Sequence, residues 1–219
     1  MKIVYGLLGA SGNGSEIMPL MIKNIMERKR SGDDIKFFFI DSNVKLKELN
    51  SVKVIREEEF FSLQSDQSFF NISVANSELR AEIAKRFELK GSVAFDIRAD
   101  NVQILHNCRV GRGSIFAPFS LLTSNITVGK FFHSNVYSSI AHDCVVGDFV
   151  TLAPGARVNG NVLIEDHAYI GSGAVIKQGT PEKPLIIGKG SVIGMGAVVT
   201  KDVQPYTTVI GNPAKLMEK

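Results

Sequence analysis

The sequence predicts an α/β half-Rossmann region followed by an all-β parallel β-helix. Three observations carry this. Counting in sixes from Ile104 gives Val110, Phe116, Leu122, Val128, Ser134, Ile140, Val146, Leu152, Val158, Ile164, Ile170 and Ile176, and only Ser134 is not large and apolar. No α-helix (period 3.6) keeps that register, whereas a fixed short repeat is the mark of a solenoid and hexads belong to parallel β-helices. Before the hexads, strand-like apolar runs alternate with helix-like segments around the turn Gly9-Ala10-Ser11-Gly12-Asn13-Gly14. Near Lys90-Gly91 the first pattern gives way to the second, so the domains are placed at 1–91 and 92–219.

In chain order, residues 2–8 read as a buried parallel strand. The glycine turn follows, and then a helix capped by Ser15 or Asn13 and running to about Arg28. Exposed N–H groups at such a helix start suit a phosphate. The spacing is G-x-x-G-x-G, which is not the dinucleotide fingerprint. Lys36–Ile40 is a second strand, with Asp41 at its C-terminal end, where open α/β sheets hold ligands. Glu57 to Leu63 is a short acidic helix. Phe69 to Ala75 is a third strand ending at Asn76, and Ser77 caps a helix to about Phe87 with Glu78 and Arg80 on its solvated face. A domain this short suits a mononucleotide group rather than a dinucleotide.

Within the hexads, the residue two places before the apolar one is often small, as at Cys108, Ser114, Ser120, Ser138, Cys144, Ala156, Ala168 and Ala174. Three hexads make a coil. Cys108 and Cys144, two coils apart, are therefore about 9–10 Å from each other and read as packing thiols, too distant for a disulfide. The register breaks after Ile176, where Gly179-Thr180-Pro181-Glu182-Lys183-Pro184 must project, and resumes at Ile187, Ile193 and Val199. Flat hexad faces are expected to bury their apolar surface as a homotrimer, with ligands in the clefts between subunits.

The composition, 44% hydrophobic and 21% charged, is that of a globular domain. No apolar run is long enough to span a bilayer, and no leader-like segment opens the chain, so a cytoplasmic location is expected, without a membrane partner. A net charge of +3 with scattered basic residues suits an anionic small molecule and gives no case for nucleic acid. There are four histidines, and none has zinc-ligand spacing, so no metal is expected. His142, followed by Asp143, reads as a general base with a nearby carboxylate, provided a corner lets adjacent side chains meet. The break at Ser134 and the neighbouring Asn135 place the candidate site here. His106, His133 and His167 read as solvated corner residues.

The segments Ala141-His142-Asp143-Cys144-Val145-Val146-Gly147-Asp148, Ala153-Pro154-Gly155-Ala156, Asn159-Gly160-Asn161, Ile170-Gly171-Ser172-Gly173-Ala174 and Gly211-Asn212-Pro213-Ala214 resemble the left-handed β-helix nucleotide-sugar acetyltransferases, which include sialic acid O-acetyltransferase-like enzymes. With the loop Gln178 to Ile187 and Gly194-Met195-Gly196, the resemblance is nearest to N-acetyltransferases of dTDP- or GDP-linked 4-amino-4,6-dideoxyhexoses, of the viosamine and perosamine type. It implies acetyl-CoA as co-substrate, a C4 amine as acceptor, and a place in O-antigen or capsule biosynthesis. It further implies that Ser11, Gly12, Asn13, Asp41 and Asn76 bind the nucleotide sugar and that Asn135 positions the substrates. His142 would take the amine proton and Asp143 would tune it. CoA would lie along Gly155, Gly173, Ala174 and Ala197, with Lys201 or Lys215 near its phosphates. Bacillosamine-pathway relatives carry His where this chain has Asn13 and Thr151, which leaves His142 as the base candidate. Three other readings stay open at this point: a sugar O-acetyltransferase, a metal-dependent β-helix hydratase and a non-catalytic nucleotide-binding scaffold.

Overall fold

The computed structural model describes residues 1–43 and 46–218, in two compact units, Met1–Arg98 and Ala99–Lys219. The first unit contains β1 (Lys2–Leu8), α1 (Gly12–Met26), β2 (Asp34–Ile40), β3 (Glu48–Leu49), β4 (Val52–Ile55), α2 (Glu57–Ser62), β5 (Gln67–Ile72), α3 (Ser77–Leu89) and β6 (Val93–Ala94). The strands lie in the order β3-β4-β2-β1-β5-β6, parallel except for the β3/β4 hairpin. Leu7, Phe39, Phe70 and Ile72 fill the core. Phe87 of α3 packs at 4.7–5.8 Å between ring centroids on Phe60, Phe61 and Phe70.

Several local expectations change. The hairpin is new: Asn50 and Ser51 sit at φ 49° and 63°, the paired left-handed residues that a two-residue hairpin turn needs. Helix α1 is capped by Ser11 rather than by Ser15 or Asn13, and no side chain closes the cap. Helix α3 is capped by Asn76, whose Oδ1 accepts the Leu79 N–H at 2.8 Å, so Ser77 is the first helical residue. Arg80 is fully buried, not solvated. It lies on the same helix stripe as Ile83, Ala84 and Phe87, and its Nη1 donates to the Val74 and Ala75 carbonyls at 2.9 and 3.1 Å. Burial pushes its guanidinium down to about 9. Residues 92–98 fall in the first unit rather than the second. Val93 and Ala94 extend the sheet beside β5, and Arg98 exchanges backbone–side-chain hydrogen bonds with Asn24 of α1.

The second unit is a parallel β-helix of two- and three-residue strands, the inner ones paired with the strands one coil before and one coil after, closed by an antiparallel pair between Thr208–Ile210 and Lys215–Leu216. Leu122 faces Ile104 and Ile140, Val128 faces Val110 and Val146, and Ser134 faces Leu152, so every third hexad comes into register. Phe116, Leu122, Ile140, Leu152, Ile170 and Ile176 are fully excluded from solvent. Ile187, and not Glu182, faces Ile164, so the intervening loop lengthens that coil. The corners explain the sequence pattern best. Asn107, Phe119, Asn125, Phe131, Tyr137, Asp143, Phe149, Asn161 and His167 all have φ between 51° and 63°. Asn and Asp tolerate that left-handed conformation best among residues with side chains.

Candidate active site

In the first unit, the turn after β1 is held from three sides. Gly9 sits at φ 99°, and a side chain there would meet Ser73 Oγ at 2.9 Å. Ser73 Oγ donates to the Leu8 carbonyl at 2.7 Å, and Asn13 Nδ2 donates to the Ser73 carbonyl at 2.7 Å. Asp41 Oδ2 accepts the Ala10 N–H at 2.8 Å, and its Oδ1 accepts the Asn43 N–H at 2.9 Å. At the C-terminal ends of β1 and β2 this leaves a cavity of about 560 Å³ whose walls include Gly9, Asp41, Arg56, Glu57 and Arg86. Arg86 forms a bidentate pair with Glu57, Nε to Oε1 at 3.0 Å and Nη2 to Oε2 at 2.9 Å. Arg56 is exposed at the mouth.

Of the residues expected to bind nucleotide, Asp41 lines the cavity, while Asn13 and Asn76 engage the backbone with their side chains as described. Ser11 and Gly12 are exposed at the start of α1, and open space surrounds Gly12. Arg56, Glu57 and Arg86 are cavity residues that the sequence reading misses. The signal for Arg56 is the alternation of Val52-Lys53-Val54-Ile55 just before it, which puts it at a strand end. No short-range signal joins Arg86 to it.

In the second unit, a corner brings His142 and Asp143 together. With Asp143 at φ 58°, the two side chains turn toward each other, and His142 Nδ1 lies 2.7 Å from Asp143 Oδ2. A carboxylate only accepts, so Nδ1 carries a hydrogen, and in the neutral ring the lone pair then sits on Nε2. Hydrogen bonds from His142, and next from Asn125, hold the Asp143 carboxyl below its ordinary range. Cys144, next along, is buried, and desolvation pushes its thiol up to about 11, so it stays protonated. Its Sγ lies 3.2 Å from the Asn159 carbonyl, in keeping with a packing role.

The neighbouring residues are less reactive than their sequence suggests. Ser134 is buried, and its hydroxyl meets that of Ser138 at 2.7 Å, so the break in the apolar column is a satisfied polar pair. Asn135 Nδ2 donates to the Leu152 carbonyl at 2.8 Å and ties one coil to the next. His133 is buried within a strand, and His167 is a corner residue that is half-buried and stacks on Phe149 at 5.2 Å, so neither is freely solvated; both are taken into packing. His106 is exposed. Among the described residues, no group of three His, Cys, Asp or Glu side chains could hold a metal ion.

Along a second corner column, Phe119 and Tyr137 stack at 4.9 Å and are followed by Gly155, Gly173 and Gly196, where a side chain would meet little or nothing within 4 Å. Ala174 and Ala197 are fully buried beside this strip, and their carbonyls accept the Arg157 and Val175 N–H groups. Lys201 borders a cavity of about 250 Å³ at the C-terminal end, and Lys215 lies in a short exposed strand.

The bacterial transferase hexapeptide family (six repeats) matches residues 143–178. The GDP-perosamine N-acetyltransferase of Escherichia coli O157:H7 is 43% identical over 216 residues, which is 99% of this chain and 97% of that protein. The structure of WeeI from Acinetobacter baumannii AYE is 48% identical and superposes with a TM-score of 0.93 over 98% of this chain and 100% of its own. A variant of perosamine N-acetyltransferase from Caulobacter crescentus, in complex with CoA and GDP-perosamine, is 18% identical with a TM-score of 0.86 over 98% of this chain and 97% of its own, a likeness of fold. The fold is the left-handed parallel β-helix of these transferases, preceded by a small α/β unit.

Proposed function

The chain belongs to the hexapeptide-repeat N-acetyltransferases of nucleotide-linked amino sugars, the family of the GDP-perosamine enzyme, and from that premise we propose that it acetylates the C4 amine of GDP-perosamine with His142 as general base. The observation that carries the catalytic part is the His142–Asp143 contact of 2.7 Å, which fixes the tautomer and leaves Nε2 available. The amine nitrogen attacks the thioester carbonyl of acetyl-CoA. The new C–N bond forms as Nε2 takes a proton from nitrogen, and the tetrahedral intermediate collapses with loss of the C–S bond. The proton then goes to the departing CoA sulfur. Proton transfer of this kind contributes typically ~10²–10⁴-fold, and holding both substrates together contributes further. No covalent enzyme intermediate is required.

We assign the GDP moiety to the cavity beside Asp41 and Arg56, where an arginine suits a diphosphate. The pantetheine arm of acetyl-CoA is assigned to the open strip at Gly155 and Gly173. Ala174 and Ala197 serve that strip as small buried residues behind it, and Lys201 and Lys215 are assigned to its phosphates. A homotrimer accounts for apolar side chains that the single chain leaves open to solvent, Val145, Tyr137 and Met195 among them. Among the described residues, no helix is long and apolar enough to cross a membrane, and a cytoplasmic location fits a reaction that draws on acetyl-CoA.

The test is release of free thiol from acetyl-CoA with GDP-perosamine, dTDP-4-amino-4,6-dideoxyglucose and their 4-hydroxy counterparts. The GDP amino sugar is expected to turn over fastest, and His142→Ala to lower kcat by two or more orders of magnitude. Turnover with a 4-hydroxy sugar would instead make the enzyme an O-acetyltransferase. Light scattering on the eluting peak checks the trimer.

A further inference from the structure

We propose that Asn125 and Gly160 are positioning residues that set the orientation of the His142 ring, Asn125 through Asp143 and Gly160 by direct contact. The inference rests on His142 being the base, as read above.

The first half is a chain of hydrogen bonds down one corner column. Asn107, Asn125 and Asp143 stack in successive coils, each at φ 54–58°. Asn107 Nδ2 donates to Asn125 Oδ1 at 3.1 Å, and Asn125 Nδ2 donates to Asp143 Oδ1 at 3.0 Å. The ladder has one polarity. Because Asn125 Oδ1 is taken up by Asn107, its amino group must face Asp143. That occupies one carboxylate oxygen and leaves Oδ2 to receive His142 Nδ1 at 2.7 Å. A carboxylate anchored at one oxygen cannot rotate freely about its last bond, so the direction of its second hydrogen bond is fixed.

The second half is steric. Gly160 lies one coil beyond His142, and a Cβ there would fall 2.5 Å from ring Cε1, 2.6 Å from Nε2 and 2.9 Å from Nδ1. Its backbone is not in the left-handed region, unlike that of Gly155 or Gly173. The glycine is therefore required by the room the ring takes and not by the chain's conformation. The ring is bounded by the coil beyond it and steered by Asp143, on a residue whose side chain is 55% exposed. Of the ionisable groups beside it, Asp143 is hydrogen-bonded to the ring, and Cys144 is a buried thiol held neutral.

The experiment measures kcat, both KM values and the pH profile of kcat/KM for wild type, Asn125→Ala, Asn125→Asp, Gly160→Ala and His142→Ala. Gly160→Ala is expected to lower kcat by roughly 10–100-fold, since a small misplacement of a catalytic group is that costly. Asn125→Ala is expected to lower kcat by about 5–20-fold on the same ground, with both KM values within twofold of wild type. Asn125→Asp adds a negative charge beside Asp143, which favours the protonated ring. The acid limb of its profile should move to higher pH, a readout that a purely structural role would not shift. Wild-type kcat in the Asn125 and Gly160 variants, or losses that follow their melting temperatures with the limb unmoved, would overturn the proposal. His142→Ala separates the two failures. If it is inactive while the other variants are normal, only the positioning role is lost; if it is active, the base assignment itself falls.

Discussion

Two corner columns of the β-helix share a backbone and differ in everything else. One runs Phe131, Phe149, His167, with rings stacked at 5.4 and 5.2 Å and nearly parallel. The other runs Asn107, Asn125, Asp143, joined by side-chain hydrogen bonds. Both sets of residues sit at φ near 50–63°. The left-handed corner is thus a demand of the coil, which the chain meets with aromatic side chains on one edge and with short polar ones on the other. The aromatic edge adds apolar burial, with Phe131 at 1% exposure. The polar edge adds little stability, because exposed pairs of this kind contribute little, but it ends on His142. Stability and chemistry are kept on different edges of one repeat.

The largest expected effects would break the molecule along that division. Phe131→Ala removes a buried ring and should cost about 3–5 kcal/mol of stability, seen as a clear fall in the thermal midpoint, while any protein that remains folded keeps near-normal kcat. Asp143→Asn should do the reverse. Its amide can offer His142 a hydrogen where the ring needs an acceptor, so kcat should fall by roughly 10²-fold or more with little change in midpoint. Equal behaviour of the two variants in both assays would erase the distinction.

A smaller effect comes from the edge that changes character along its length. Phe119 and Tyr137 stack, and the next coils carry Gly155, Gly173 and Gly196. The backbone does not force the change, since Phe119 and Tyr137 hold φ 62° and 60° at the same corner and Gly173 holds 66°. Gly173→Tyr would therefore place a ring in the open space of that strip, at the left-handed backbone that Tyr137 already holds. If the strip takes the pantetheine arm, the KM for acetyl-CoA should rise about tenfold, roughly 1.4 kcal/mol of binding, with the KM for the nucleotide sugar unchanged. An unchanged KM for acetyl-CoA would move the thioester elsewhere.

Legibility in the sequence follows the length scale of each feature. The hexad register is readable because every sixth residue is an interior position, and Ile104 to Ile176 repeat it without a gap. The His142–Asp143 contact is readable as conditional on a corner, and the corner is there. The Asn125–Asp143 bond carries a signal that counting in sixes along the apolar column does not pick up: Asn107, Asn125, Asp143 and Asn161 recur once per coil. Arg80 carries one too, in step with Ile83, Ala84 and Phe87, but a charged residue on an apolar stripe reads as facing water. Its carbonyl partners, Val74 and Ala75, belong to a loop whose course the sequence does not give. Nothing in the sequence brings Arg56 and Arg86 to one cavity. That meeting depends on the hairpin before α2 and on the packing of α3, both tertiary.

The smallest effect concerns acid. The Asp143 carboxyl is held below its ordinary range by the hydrogen bonds from His142 and Asn125. A group depressed in the folded state contributes stability above its unfolded value, about 3.9 for aspartate, and loses that contribution as pH falls through the depressed value. Removing the Asn125 donor lessens the depression. The midpoint difference between wild type and Asn125→Ala should therefore be constant from pH 6 to 8 and shrink below about pH 4, by about one degree or less because the pair is open to solvent. The deficit of Phe131→Ala, which involves no proton, should hold steady over the same range. Thermal scans of the three proteins across that interval decide the point: a deficit in Asn125→Ala that ignores pH would mean that the amide supports the coil rather than the charge on Asp143.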